Sequence, residues 1–212
     1  MIELNELLKN EFGNKKPYES ANQVAIIEAR IKATYHHSGQ LRKYTEKQLY
    51  VAHCQEVVTI LQYADGVTDE AIQAAWLHDT VEDTDYTLDK VQQDFGDTVA
   101  KYVWYLTNVP RFVGSRKERK SIDNDRLIDA PRLVKEIKCA DIISNCLNIA
   151  ELDQDFAETY LREKEALLLG FTKNQLDVNY EYGYQVDNIT LLPLARNVVD
   201  DGLNLLNNGG KK

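Results

Sequence analysis

Apolar residues recur at three- and four-residue spacing along most of the chain, which is the pattern of helices that bury one face. Alternating strand-like runs closed by Asn-Gly or Asp-Gly turns are almost absent. The pattern therefore predicts an all-α fold. The predicted helices cover approximately residues 2–12, 22–35, 46–63, 69–79, 87–95, 97–106, 116–128, 131–152, 156–169 and 191–206.

Local signals place several of these boundaries. Thr87 precedes a helix with Asp89 in its first turn, and Phe95-Gly96 ends that helix. Pro131 suits the first turn of the helix that it opens. In the second helix the apolar positions are Val24, Ile27, Ala29 and Ile31. Near the C-terminus, the aromatic segment 180–184 is interpreted as a surface loop, with substrate contact as the alternative.

The length of 212 residues suits one domain, so we expect residues 1–212 to form a single unit. No apolar run reaches the roughly 18 residues of a membrane span. The N-terminus lacks the basic and then apolar pattern of a secretory signal, and the three cysteines suit reduced thiols. These features predict a cytoplasmic protein without a membrane partner.

The formal net charge of −9 argues against a nucleic-acid partner, since sequence-independent binding needs a basic surface. A small anionic substrate is compatible with this charge, because a bound divalent cation can reverse the local field.

The most informative stretch is an apolar run that ends in His78 and Asp79, followed by Glu82 and Asp83. Residues four apart share one face of a continuous helix, which would place His78 beside Glu82 and Asp79 beside Asp83. Three carboxylates in one small volume repel one another unless a cation or solvent relieves them. A solvated helix end is the alternative interpretation.

Two further polar residues, His53 and Asp141, interrupt apolar helical surroundings, where a lone polar group is costly. Each alone is compatible with an ordinary hydrogen-bonded helix residue. Together with His78 and Asp79 they form the order H…HD…D, which predicts a site with these four residues as metal ligands. Imidazole nitrogen and carboxylate oxygen suit Mn, Zn, Fe, Co or Ni.

The stretch 78–84, His-Asp-Thr-Val-Glu-Asp-Thr, resembles the hydrolase domain of the RelA/SpoT-type alarmone enzymes of the stringent response, including their small stand-alone relatives. The resemblance covers about residues 30–150, within a family-like core of about 22–152 that a helical extension of about 153–206 follows. Four other stretches agree with it: 37–43, 50–53, Phe95-Gly96 with Leu106-Thr107, and 138–145.

The resemblance implies a compact multi-helix HD-domain phosphohydrolase with one divalent cation, most often Mn²⁺. It implies removal of the 3′-pyrophosphate from guanosine tetra- or pentaphosphate. Carried over by position, Glu82 and Asp83 would handle the attacking water. Arg42 and Lys43 would cover the purine or its phosphates, and Asn145 would contact the nucleotide.

Lys138 is a further candidate for substrate binding, because it lies three residues before Asp141 and so on about the same helical face. A solvated helix lysine is its alternative role. The basic run 116–120 is similarly either a solvated helical face or a lid over phosphates.

Two departures from the family pattern concern the nucleobase pocket. Cys54 stands where the family usually has proline, and the link between Lys43 and His53 is longer and lacks glycine. Two alternatives therefore stay open. One is an HD phosphohydrolase for another nucleotide, such as a deoxynucleotide or a 2′- or 3′-phosphorylated cofactor. The other is a non-catalytic nucleotide-binding regulator.

Overall fold

The computed structural model describes residues 2–43, 47–182 and 188–209, without the side chains of 174–182 and 209. The aromatic segment 180–184 therefore lies outside the described side chains. In the described part an isolated pairing of Leu41 with Leu49 is the only β-type contact, so the all-α prediction is confirmed. The helices are α1 (Leu4–Phe12), α2 (Gln23–His36), α3 (Val51–Leu61), α4 (Asp69–Leu77), α5 (Thr80–Asp83), α6 (Leu88–Leu106), α7 (Arg116–Ile128), α8 (Arg132–Cys146), α9 (Ile149–Leu152), α10 (Gln154–Tyr182) and α11 (Leu192–Gly209), with a 3-10 turn at Arg111–Val113.

Side-chain caps explain where several helices begin. The Thr68 hydroxyl accepts from the Ala71 amide at the start of α4. Thr87 caps α6 in the same way, and Ser115 forms a capping box with Glu118 at the start of α7. Gly96 has a φ of 85° and interrupts α6, which confirms the predicted break.

Helix α3 begins at Val51 and is shorter than the predicted 46–63. The chain before it turns back on an earlier loop. There the Arg42 amide donates to the Gln48 carbonyl at 2.8 Å, and the Tyr50 amide donates to the Gln40 carbonyl at 2.9 Å. These loop hydrogen bonds occupy backbone groups that a longer helix would have used.

The predicted helix 131–152 is wrong as a single element, because α8 ends at Cys146 and the short α9 follows the break. The predicted helix 156–169 is too short, since α10 runs from Gln154 to Tyr182. Apolar spacing continues across the first boundary, so periodicity alone could not locate that break.

Helix α2 meets α4 through its small residues. Ala29 and Ala33 are fully buried, whereas Val24, Ile27 and Ile31 are each more than half exposed. Of the apolar positions that the sequence pattern assigned to this helix, only Ala29 therefore lies in the core. Alanine allows the backbones of two helices to approach closely, which explains why the face with small side chains is the buried one.

The centre of the molecule is formed by α3, α4 and α8, with α11 packed on α8 and α10 packed on α11. No helix within the described ranges combines the length and the apolar content that crossing a bilayer requires. The largest fully buried side chains include Ile60, Leu61, Leu77, Ile137, Ile142 and Ile143, which all come from the three central helices.

A buried carboxylate connects α8 to the C-terminal helices. Glu136 is fully buried, and its two oxygens accept from the backbone amides of Thr190 at 2.6 Å and Leu191 at 3.0 Å. Arg132 lies 3.1 Å from the same carboxylate. Helix α11 therefore begins at a point that α8 fixes.

Candidate metal centre

The three central helices bring together the four residues that the sequence predicts as ligands. His53 comes from α3, Asp141 comes from α8, and His78 and Asp79 follow the end of α4. The His53 Nε2 atom lies 3.3 Å from Asp141 Oδ1 and 3.8 Å from Asp79 Oδ2. The His78 Nε2 atom lies 2.9 Å from Asp79 Oδ2 and 3.9 Å from Asp141 Oδ1. The four side chains therefore point at one small volume.

The backbone places His78 and Asp79 differently from the predicted continuous helix. Helix α4 ends at Leu77, and Asp79 precedes the separate short helix α5. The predicted continuous helix 69–79 is therefore corrected at its end, while the Asp83 amide still donates to the Asp79 carbonyl at 3.0 Å, one helical turn away. The interruption lets two consecutive side chains reach the same point, which neighbouring residues of a regular helix cannot do.

Each imidazole has its Nδ1 atom engaged outside the cluster. His78 Nδ1 lies 2.9 Å from the Ala75 carbonyl oxygen, which can only accept a hydrogen bond. His53 Nδ1 lies 2.9 Å from Ser144 Oγ. A ligating histidine commonly donates from its other ring nitrogen in this way, which leaves a lone pair on Nε2.

Both Nε2 atoms are buried, and neither has a well-aligned hydrogen-bond partner among the described residues. Buried polar atoms without partners are rare and costly. Ligand atoms of His53, His78 and Asp79 lie within 4.8 Å of one another. Two imidazole nitrogens beside carboxylates are a donor set for a divalent cation, so the residues fit the metal that the sequence predicts.

The electrostatics of the cluster agree with this fit. Burial lowers the pKa of His78, but the charge and proximity of Asp79 outweigh burial and raise that pKa to about 9. Burial likewise raises the pKa of Asp141, but Lys138 and the two histidines hold it well below its usual range. The carboxylates therefore stay ionised, and a cation would compete with the proton on His78.

Asp141 is oriented by two residues that the sequence predicts as substrate contacts. Lys138 Nζ donates to Oδ2 at 2.7 Å, and Asn145 Nδ2 donates to Oδ1 at 2.6 Å. Lys138 is 9% exposed, so it is not a solvated helix lysine. Both side chains fix a ligand carboxylate here, and their contact with substrate stays a prediction.

Glu82 and Asp83 lie at the solvent-exposed rim of the cluster. Glu82 Oε2 accepts from the backbone amide of Asn108 at 3.0 Å and from its side-chain amide at 2.8 Å. Partial desolvation raises the pKa of Asp83 to about 6, with repulsion from Asp79 and Glu82 adding to it. A carboxyl group with a pKa near neutrality is suited to moving a proton.

The basic pair is divided between two environments. The Arg42 guanidinium lies against Glu56, at 2.7 Å, and against the Ser144 carbonyl, also at 2.7 Å. Lys43 is exposed, and its charge acts on Asp83. The structure thus places Lys43 at the rim and Arg42 beside Ser144, the residue that contacts His53.

Two lysines that sequence reasoning missed lie near this centre. Lys164 of α10 is 7% exposed, and burial together with Lys138 lowers its pKa to about 8. Burial and Lys138 also lower the pKa of Lys120, whose Nζ lies 3.4 Å from Asn108 Oδ1. Lys120 belongs to the basic run at the start of α7, but it is only partly exposed and its ammonium group contacts Asn108. These lysines place positive charge beside the carboxylates.

Sequence reasoning also missed Tyr50, whose hydroxyl donates to Asp79 Oδ2 at 2.5 Å, and Ser144, which contacts His53. Spacing could have indicated both, because Tyr50 lies three residues before His53 and Ser144 three residues after Asp141. No local signal could have indicated Lys164, which α10 brings in from a distant part of the chain.

The fold and the donor set define an HD-domain protein. The family model described as HD domain matches residues 29–161, and the chain belongs to this family. The match contains all four predicted metal ligands.

Particular relatives narrow the resemblance. The chain is 35% identical over 127 residues to the guanosine-3′,5′-bis(diphosphate) 3′-pyrophosphohydrolase MESH1 of Xenopus tropicalis, covering 59% of this chain and 70% of the relative. It is 37% identical over 121 residues to the Homo sapiens MESH1, covering 57% of this chain and 66% of the relative. A solved structure described as a metazoan ortholog of SpoT that hydrolyzes ppGpp has a TM-score of 0.70 at 24% identity, covering 90% of this chain and 99% of that one. At that identity, the structural match establishes the fold.

Proposed function

We propose that this protein is a metal-dependent 3′-pyrophosphohydrolase of guanosine tetra- and pentaphosphate. The observation that carries the proposal is the buried convergence of His53, His78, Asp79 and Asp141, with Glu82 at its rim. The MESH1 relatives carry the same activity in their names. We further propose that residues 1–212 form one HD domain, which the contact of α8 with α11 supports. We also propose that the enzyme is cytoplasmic, in keeping with a nucleotide substrate.

In this proposal the four residues hold one divalent cation, Mn²⁺ in the first instance. Such a cation lowers the pKa of a bound water from about 16 toward about 7 and withdraws charge from phosphoryl oxygens. The chain itself contributes the fixed orientation of each ligand. Tyr50 holds Asp79, while Lys138 and Asn145 hold Asp141.

Glu82 and Asp83 are the groups that orient the attacking water and accept its proton. Asn108 fixes the Glu82 carboxylate with two hydrogen bonds, which leaves the other oxygen of Glu82 for the water. The raised pKa of Asp83 allows it to exchange a proton near neutral pH.

Positive charge for the phosphates comes from two sides. Lys43 lies at the exposed rim, while the partly buried Lys120 and the buried Lys164 lie near Lys138. Charge on the phosphoryl oxygens grows in the transition state, and fixed cations stabilise it there. We propose that the nucleotide is contacted by Arg42, Lys43, Lys138 and Asn145. Of these residues, Arg42 also donates hydrogen bonds to Glu56 and Ser144.

The test is hydrolysis of a nucleotide panel by the Mn²⁺-loaded protein. The panel contains guanosine tetraphosphate, deoxynucleoside triphosphates and 2′- and 3′-phosphorylated cofactors, and the released phosphates are identified by ion chromatography. We expect pyrophosphate and a guanosine 5′-diphosphate product from the tetraphosphate. Consumption of another nucleotide with the tetraphosphate intact would assign the site to a different substrate. Binding without turnover of any nucleotide would indicate a regulator.

A further inference from the structure

The two histidines of the centre are fixed by different means. His78 donates from Nδ1 to a backbone carbonyl, which no substitution of a side chain can remove. His53 contacts a serine hydroxyl, which can donate or accept. A hydroxyl by itself therefore does not decide which nitrogen of His53 carries the proton, and something else must decide it.

The surroundings of Ser144 make that decision. Its hydroxyl carries one proton and lies 2.7 Å from Glu56 Oε2. The carboxylate of Glu56 pairs with Arg42 at 2.7 Å and can only accept. The hydroxyl proton is therefore committed to Glu56, and the lone pairs of Oγ face the Arg42 Nη2 atom at 3.1 Å and His53 Nδ1 at 2.9 Å.

We propose that Arg42, Glu56 and Ser144 form a positioning relay that holds the proton of His53 on Nδ1 and directs the Nε2 lone pair at the metal. Arg42 holds Glu56 and also donates to the Ser144 backbone carbonyl at 2.7 Å, so it locks both ends of the relay. In the relay these residues act on the metal site through His53. The relay is 15% exposed at Arg42 and 25% exposed at Glu56, so it reaches from the surface to the buried centre.

The relay gives Arg42 a role other than the nucleobase contact that its position in the family motif implies. It rests on the metal site of the proposed function but is independent of the substrate. Its test therefore uses the metal-free protein and the metal alone, and neither depends on which nucleotide is hydrolysed.

The first measurement is the tautomer of His53, from long-range nitrogen-15 correlation spectra of the metal-free protein at a pH above the usual range of histidine. The chain has only four histidines, and a His53→Asn variant assigns the resonance. We expect Nδ1–H in the wild type. In Glu56→Ala the serine proton is released toward His53, so the Nε2–H form should appear.

Glu56→Gln is the matched variant that should preserve the relay. One carboxylate oxygen, Oε2, accepts from both Arg42 and Ser144, so an amide can place its oxygen there and keep the serine proton committed. The expected tautomer is unchanged. A role of Glu56 in charge alone would instead make Gln and Ala behave alike.

The second measurement is Mn²⁺ affinity by isothermal titration calorimetry. Loss of a residue that orients a metal ligand typically weakens binding about 10- to 100-fold, which we expect for Ser144→Ala and Glu56→Ala. Glu56→Gln should stay close to the wild type. Cys139→Ala is the control, because it also removes one buried heavy atom from α8 but lies outside the relay.

The proposal is overturned if Glu56→Ala keeps the Nδ1–H tautomer and the wild-type Mn²⁺ affinity. Should Ser144→Ala fail to fold, as judged by circular dichroism, the Glu56 variants still decide the question, since this side chain is the more exposed end of the relay. If the tautomer of His53 shifted but Glu56→Ala and Ser144→Ala both kept the wild-type Mn²⁺ affinity, the proposed link between the relay and the metal would also be overturned.

Discussion

The metal ligands and the lysines beside them are held by different parts of the molecule. All four ligands come from α3, α8 and the end of α4, which form the centre of the core. Lys120 and Lys164 come from α7 and α10, which pack around that centre. The ligand half is thus built into the most buried helices, whereas the cationic half depends on how outer helices pack. Substitutions in the two halves should therefore have separable effects.

The largest effect is expected from Asp79→Ala. Removing this carboxylate takes away a ligand and the charge that holds His78, so Mn²⁺ binding and turnover should be lost together. Several kcal/mol of transition-state stabilisation correspond to a loss of about 10³-fold or more in kcat. Calorimetry and a pyrophosphate-release assay measure both. Asp85→Ala is the control, since Asp85 is exposed and pairs only weakly with His36 at 3.2 Å. Full turnover without the Asp79 carboxylate would remove it from the ligand set.

Glu82→Gln should separate the metal from the chemistry. The amide keeps the size of the side chain but cannot accept a proton, so kcat should fall about 10²- to 10⁴-fold while Mn²⁺ affinity is retained. Glu70→Gln provides an exposed glutamate as the control. A variant that keeps both the metal and full kcat would contradict the assigned role in handling water.

Lys164→Met should move stability and function in opposite directions. The pKa of Lys164 is lowered from 10.5 to about 8, so burial of its charge destabilises the native protein fully below pH 8, and this penalty disappears as the pH rises from about 8 to 10.5. At about 1.4 kcal/mol for each pH unit, the variant should be more stable at neutral pH by about 1–3 kcal/mol. That gain should vanish in urea unfolding above pH 10. The affinity of the variant for pyrophosphate should fall about tenfold. If Lys164→Met instead destabilised the protein at neutral pH, the lysine would stabilise the fold.

The smallest effect is expected from Thr68→Ala, which removes the cap of α4. Loss of such a cap costs about 1 kcal/mol in the free energy of unfolding. Because the cap lies at the opposite end of α4 from His78, Mn²⁺ affinity should not change. A parallel fall in metal affinity would mean that the position of His78 is less independent of helix stability than the core packing suggests.

The ligand half could be predicted from the sequence because its residues stand in short motifs within apolar helices. His53, His78, Asp79 and Asp141 each interrupt a buried face, and the order of the four residues carries the chemistry. The break after Leu77 could not be predicted, since the apolar spacing continues into it. The roles of Lys164 and Ser144 depend on tertiary packing, which periodicity does not encode.

The fold was predictable at the level of helix type and approximate position, including the kink at Gly96. The burial of individual faces was less so. In α2 the sequence pattern pointed to Val24, Ile27 and Ile31, yet the contact with α4 uses Ala29 and Ala33. Close approach of two helix backbones favours small side chains, and hydrophobicity alone does not measure that preference.

The Glu136 carboxylate couples the start of α11 to the helix that carries a metal ligand. Glu136 belongs to α8, which also carries Asp141, and its carboxylate accepts hydrogen bonds from the backbone amides of Thr190 and Leu191. A deletion of the chain from residue 190 onward would leave a negative charge buried without its amide donors, which proteins tolerate poorly. Substitutions of side chains along α11 should therefore be tolerated better than insertions or deletions that move the residue at which this helix begins. A truncation that ends just before residue 190 should cost the protein its metal site as well as α11.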